Sequence, residues 1–221
     1  LKNLMLMSAA SSATSTTNGR QAVSVCDYLL YYPFIDTDAI GEEQVMDNTV
    51  TLPRYAAQGG QVVAVAQSAA SAIGQFTFSY TNQDGVSGRT SQNNYTFIVA
   101  GGGQVVGASG AGASYNPFCY LQVGDTAVRS IESVTMSAAG GGLMCLVIVK
   151  PLIKTVVSQE CRRTTTGNLE SYGACTELSS VIHQAGAPRI LDGAVIGLLA
   201  AGYSGSLASS ILSGALEVIW N

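Results

Sequence analysis

Charge is what this sequence has least of. Asp, Glu, Lys and Arg make up 11% of its 221 residues, against about a quarter in ordinary globular domains. A free monomer relies on a charged surface for solubility. The deficit therefore favours a chain whose faces are covered by neighbours in an assembly, because interface cores are depleted in charge. Cations are the scarcer sign, 10 against 14 acids for a net charge of −4, with no basic run beyond Arg162-Arg163. Nucleic acid is not an expected partner, since phosphate binding needs a basic patch.

Histidine is nearly absent. The only one is His183, and one histidine supplies no zinc triad. A Ser-His-Asp site would have to pair His183 with Asp192, its nearest Asp in sequence. No G-x-S-x-G elbow exists to carry the serine; Gly202-Tyr203-Ser204-Gly205 is displaced by one position. A cysteine nucleophile with His183 stays formally open. So thin an acid/base inventory predicts a chain that is not an enzyme, with no catalytic, cofactor-binding or metal residues and no cofactor.

The five cysteines, Cys26, Cys119, Cys145, Cys161 and Cys175, are odd in number and contain no C-x-x-C. That pattern fits neither a zinc spacing nor a paired disulfide framework. Free thiols and synthesis in a reducing compartment are expected, with Cys145 as a small core residue. Long apolar runs are missing as well. Leu4-Met5-Leu6-Met7 is too short for a signal-peptide core. Residues 193–216 carry no charge and contain Gly193-x-x-x-Gly197, but serines and glycines interrupt them. Only 194–201 is continuously apolar, short of the ~20 residues a span needs, so no membrane partner is expected.

What is present is β patterning. Residues 75–82 alternate cleanly, with Phe76, Phe78 and Tyr80 on one face and Thr77, Ser79 and Thr81 on the other. Asp84-Gly85 and Ser87-Gly88 supply turn chemistry after them, and Arg89-Thr90 lead away. Residues 124–152 read as a β-hairpin. Val134, Met136 and Ala138 share a face; Ile131 falls out of that phase, which predicts a bulge near Glu132. Gly140-Gly141-Gly142 closes the turn. Residues 143–149 are apolar at every position, the pattern of a strand covered on both faces, and Pro151 should end its pairing. Further strands are expected over 48–55 (ended by Pro53), 61–67, 96–100 and 215–220. Residues 156–173 read as a polar loop or short helix, and 176–184 and 204–213 as helical turns.

Three stretches invite a functional reading. Residues 26–35 pack three tyrosines and Phe34 into a short apolar run, suited to a core or to an interface centre; core is expected. Residues 36–47 are the one acidic cluster. Asp36, Asp38, Gly41 and Asp47 fall at calcium-loop spacing, but the fifth position is Ile40 and the twelfth is not Glu, so a solvated acidic loop is expected. Residues 101–113 are glycine-rich yet lack the Lys-Ser/Thr of a P-loop and the G-x-G-x-x-G context, and read as a loop or tightly packed strands. Residues 8–19 are Ser/Thr/Ala-rich. A flexible N-terminal arm over 1–22 and a single β-rich domain over 23–221 follow. Turn signals every 8–15 residues without βαβ alternation predict an all-β fold, an antiparallel sandwich or jelly-roll-like barrel with long loops.

The segments L-Y-Y-P-F-I-D-T-D, Q-V-M-D-N-T-V-T-L-P-R-Y, F-T-F-S-Y-T-N-Q-D-G-V-S-G-R-T-S, G-D-T-A-V-R-S-I-E-S-V-T and G-G-G-L-M-C-L-V-I-V-K-P-L resemble stretches of virion structural proteins from tailed bacteriophages. The likeness covers roughly residues 28–152. It implies a non-enzymatic, head-associated protein, most simply a capsid decoration (cement) protein. Such a protein is made in the host cytoplasm, binds the major capsid protein and self-associates, with a homotrimer suggested by the three-fold positions of such shells. A tail, adaptor or receptor-binding component of the virion is the alternative. The sequence lacks the look of a major capsid protein, being short and without a long acidic helix.

Overall fold

In the computed structural model the described residues are 2–11, 21–98, 101–103, 105, 107–108, 117–157, 161–163, 169–171, 177–180, 189–202 and 212–220. Among them every regular element is a strand, and every strand pairing given by its register is antiparallel, as expected from the alternating sequence. In chain order the strands begin β1 (Lys2–Ser11), β2 (Gln21–Asp36), β3 (Glu43–Val45), β4 (Gln61–Ala66) and β5 (Gln75–Asn82). They continue β6 (Arg89–Thr90), β7 (Asn94–Thr96), β8 (Gly107–Ala108), β9 (Val128–Ala138) and β10 (Leu143–Val157). The last are β11 (Cys161–Arg163), β12 (Leu169–Ser171), β13 (Glu177–Ser180), β14 (Arg189–Ile190), β15 (Ile196–Gly202) and β16 (Leu212–Trp220).

The chain forms two compact units. One comprises Leu1–Cys26 with Pro151–Asn221, the other Asp27–Lys150. The expected arm over 1–22 is a strand over Lys2–Ser11, paired from Lys2↔Trp220 to Ser11↔Leu212 with β16. The Leu4-Met5-Leu6-Met7 run gives it the apolar content of a strand, while 12–20 lie outside the described residues. β1 also pairs with β13 and β14, and β15 lies at the end of a sheet beside β2. β11 and β12 form a two-stranded ribbon where a polar loop or short helix was expected. Likewise Glu177–Ser180 is strand β13, and Leu212 and Ser213 belong to β16; the remainder of those two expected helical turns lies outside the described residues.

The Asp27–Lys150 unit is built from two sheets on one core. The first orders β2, β10 and β4; the second orders β3, β9, β5, β7 and β8, with β6 also on β5. Leu29, Tyr32 and Ile35 of β2, Val62 and Ala64 of β4, and Met144, Leu146 and Ile148 of β10 face Phe76, Phe78, Tyr80, Ile131, Val134 and Met136. The sheets meet where Gly60 and Val128 exchange backbone hydrogen bonds of 2.9 and 2.8 Å, and where Val65 bridges Val105. The result is a sandwich curled towards a half-barrel. A Cβ on Gly60 would lie 2.6 Å from the Val149 carbonyl oxygen, so only glycine fits this junction.

The expected hairpin over 124–152 is instead an arch. β9 pairs with β3 and β5, whereas β10 pairs with β4 from Met144↔Ala66 to Val149↔Gln61, in the other sheet. Composition explains the split. Met144 to Val149 are all buried and suit an interior strand flanked by β2 and β4, while alternating β9 suits a sheet with one wetter face. Gly140 and Gly142 are locked to Thr37 by backbone and hydroxyl hydrogen bonds of 2.7–3.0 Å, which fixes the crossing. The expected bulge lies at Glu132: Ser79 faces Ser133 and Tyr80 faces Ile131, so Glu132 has no opposite residue. Its carboxylate accepts from Ser79 and Thr81 hydroxyls at 2.9 Å and from the Gly88 N–H. Pairing of β10 with β4 ends two residues before Pro151, but the strand itself continues to Val157. Residues 48–55 form a loop, not a strand, and β7 ends at Thr96.

Candidate interaction site

The aromatic run of β2 divides between core and surface. Leu29, Tyr32 and Ile35 are buried, whereas Tyr31 is 55% and Phe34 73% exposed. Pro33 removes a backbone donor between them, and Phe34 adopts the left-handed backbone conformation, φ 62°. That region costs a bulky residue on the order of 1–2 kcal/mol. Gln67, just past β4, links the Phe34 backbone to the Tyr31 side chain. Its side-chain oxygen accepts from the Phe34 N–H at 2.5 Å, and its amide nitrogen donates to the Tyr31 hydroxyl at 2.9 Å. One glutamine thus ties the Tyr31 hydroxyl and the Phe34 backbone to the same side chain. We call this feature the knob.

The acidic stretch begins beside it. Asp36 accepts from the Asp38 N–H at 2.8 Å, Gln44 brackets the Asp36 backbone with two bonds of 2.8 Å, and Asp38 accepts from the Gly141 N–H at 2.9 Å. Asp47 caps the Thr49 N–H at 2.8 Å, which holds its carboxyl below the usual range. These carboxylates serve their own turns, and among the described residues no three His, Cys, Asp or Glu converge as metal ligands would. Asp36, Asp38, Glu42, Glu43 and Asp47 are all exposed, so the stretch is an acidic border to the knob.

The buried polar groups of this unit are structural. Asp125, with a side chain 3% exposed, receives Tyr80, Asn82 and Arg89 at 2.6–3.3 Å. The Arg89 hydrogen bonds hold its carboxyl down to about 2, and burial pushes the Tyr80 hydroxyl up to about 12. Asp27, fully buried, receives Arg54 through two bonds of 2.7 Å. Arg129 donates to the Ala57 and Gln83 carbonyls, and the Lys150 ammonium lies 5.4 Å from the Tyr55 ring centre. The thiols of Cys26, Cys119 and Cys145 are free and buried, and burial pushes them up to about 12, 12 and 11. Unionised and enclosed, they are poor nucleophiles. His183 and Ser204 lie outside the described residues, and Asp192 is exposed in the turn before β15.

The sequence marked the aromatic run but assigned it to the core. The missed residue is Gln67, whose role depends on a contact across 33 and 36 positions; the one local signal was proline inside an aromatic strand. No family model, curated protein or solved structure matches this chain. The likeness to phage virion proteins therefore rests on the sequence segments alone.

Proposed function

We propose that this chain is a non-enzymatic structural protein of a virion, a decoration protein that binds a phage head as a homo-oligomer, most simply a trimer, and stabilises contacts between capsid subunits. The observation that carries the reading is the knob. Two exposed aromatics on a β scaffold, with the Phe34 backbone and the Tyr31 hydroxyl tied to Gln67, form an anchor for a protein surface, because Tyr and Phe bring large contact area at low entropic cost. Preorganisation by Gln67 lowers the ordering cost of association. The low charge content suits a chain largely covered by neighbours, and buried neutral thiols suit a long-lived structural part. A protein that binds only the assembled shell shifts its equilibrium away from disassembly by mass action.

The test is thermal. Particles with and without this protein are heated, and genome release is followed by nuclease-sensitive fluorescence. Shells lacking it should release at a lower temperature. Equal release temperatures, or imaging that places the protein in the tail, would replace this reading with that of a tail or adaptor component.

A further inference from the structure

We propose that the Tyr31–Phe34 knob and the carboxylates beside it receive an arginine side chain of a partner protein, with the guanidinium lying on an aromatic ring and pairing with Asp36 or Asp38. This rests on the reading of the knob as a docking surface and adds the chemical group that the partner presents. Aromatic faces attract cations through the ring quadrupole, and carboxylates attract them by charge. The two halves of the patch therefore select the same ligand.

Every Asp, Glu, Lys and Arg of residues 27–150 is a described residue, so the charge inventory of this unit is complete. It holds four Lys and Arg against nine Asp and Glu, a net charge of −5. All four cations are engaged within the unit: Arg54 on Asp27, Arg89 on Asp125, Arg129 on two carbonyls and Lys150 over Tyr55. Glu132 takes the Ser79 and Thr81 hydroxyls. The other six acids are exposed and meet no cation among the described residues, and all but Asp84 fall within 36–47. The negative charge beside the rings is therefore left for a partner to neutralise, which is the complementarity that steers and selects one.

The spacing suits one guanidinium. Phe34, Asp36 and Asp38 are exposed, while Ile35 and Thr37 between them are buried. The ring and both carboxyls thus share one face at the end of β2. Alternate residues of a strand stand about 6.6 Å apart, and a cation binds a ring from within about 6 Å of its centre. A guanidinium lying on Phe34 therefore reaches Asp36. Each carboxylate is held through one oxygen. Asp36 Oδ1 accepts from the Asp38 N–H at 2.8 Å, and Asp38 Oδ1 from the Gly141 N–H at 2.9 Å. Among the described residues the second oxygen of each has no donor, so both carboxylates are fixed in place with an acceptor to spare. Arginine fits better than lysine, because its planar guanidinium stacks on rings and forks onto carboxylates.

Nuclear magnetic resonance titration of the full chain with acetyl-Arg-Arg-Arg-amide tests this, with the citrulline tripeptide as a neutral control of the same shape. Saturable shifts are expected at Phe34, Asp36 and the Gln67 side-chain amide, and none with citrulline. Tyr31→Ser/Phe34→Gly should weaken binding about fivefold, the value of an exposed cation–ring contact. Asp36→Asn/Asp38→Asn should weaken it by about tenfold or more, and each asparagine keeps an oxygen for its backbone N–H. Asp84→Asn, in the turn after the opposite end of β5, should leave binding unchanged. If one double variant fails to fold, the other carries the test. No saturable shift, equal binding of the citrulline peptide, an equal loss in Asp84→Asn, or unchanged binding in either folded double variant overturns the proposal. The same shifts produced by maltohexaose and not by the arginine peptide would overturn it in favour of a glycan site. No shell is present in the titration, so its result is separate from that of the heated particles.

Discussion

The Tyr80 hydroxyl donates to Asp125 at 2.6 Å while accepting from the Gln122 N–H at 2.9 Å. It ties the end of β5 to the turn before β9. Because the folded carboxyl is held at about 2, below its unfolded value, its contribution is complete above pH ~4 and is lost as pH falls towards 2. Denaturant titrations between pH 2 and 5 should show this loss, and Asp125→Asn should flatten it. At pH 7 that variant should be destabilised by about 2 kcal/mol, the range for an imperfectly satisfied polar group. An unchanged acid limb in Asp125→Asn would show that other carboxylates set the acid stability.

Arg54→Ala leaves the Asp27 carboxylate buried without its bidentate cation. The expected cost is about 3 kcal/mol, as for breaking one side of a buried ion pair. Asp27→Asn added to Arg54→Ala should recover part of it, read as a shift of the urea midpoint. Additive losses would mean that the pair is not coupled.

Gly60→Ala should be among the worst single substitutions in the chain. Its Cβ would meet the Val149 oxygen at 2.6 Å and the Ile148 side chain at 2.7 Å. Since both sheets join there, relief requires backbone movement, and a loss of more than about 2 kcal/mol is expected. A melting temperature within a degree of wild type would contradict the close approach.

Phe34→Gly should leave the melting temperature of a dissociated sample unchanged or raised, because glycine adopts φ 62° without strain. A clear drop would mean that the ring contributes to the fold itself, and the knob would then lose its standing as a docking feature.

Native protein treated with iodoacetamide at pH 8 should remain unlabelled at Cys26, Cys119 and Cys145, whose thiols are buried and held neutral. Peptide mapping after denaturation should find all three alkylated. Recovery of a disulfide at any of them would overturn the free-thiol assignment.

Local periodicity carried the legible part of this fold. The Phe76–Tyr80 alternation marks β5 to its ends, and the phase slip at Ile131 marks the Glu132 bulge, because both are written in neighbouring side chains. The arch was not legible. Three glycines permit a hairpin and an arch equally, and the choice depends on Thr37, about a hundred positions away. The same holds for Phe34. Nothing local distinguishes an aromatic packed inward from one turned outward, and the Phe34 backbone is met by Gln67, just past another strand.

The arch also orders events during synthesis. β2 and β4 have β10 between them, and β10 leaves the ribosome last of the Asp27–Lys150 unit. Until it emerges, the inward faces of both earlier strands lack the strand that joins them into a sheet. The adjacent β9 cannot substitute, since its partners lie across the core. A ribosome stalled before Leu143 would therefore display an incomplete apolar sheet, and chaperone occupancy of nascent chains should fall once residues 143–150 clear the exit tunnel.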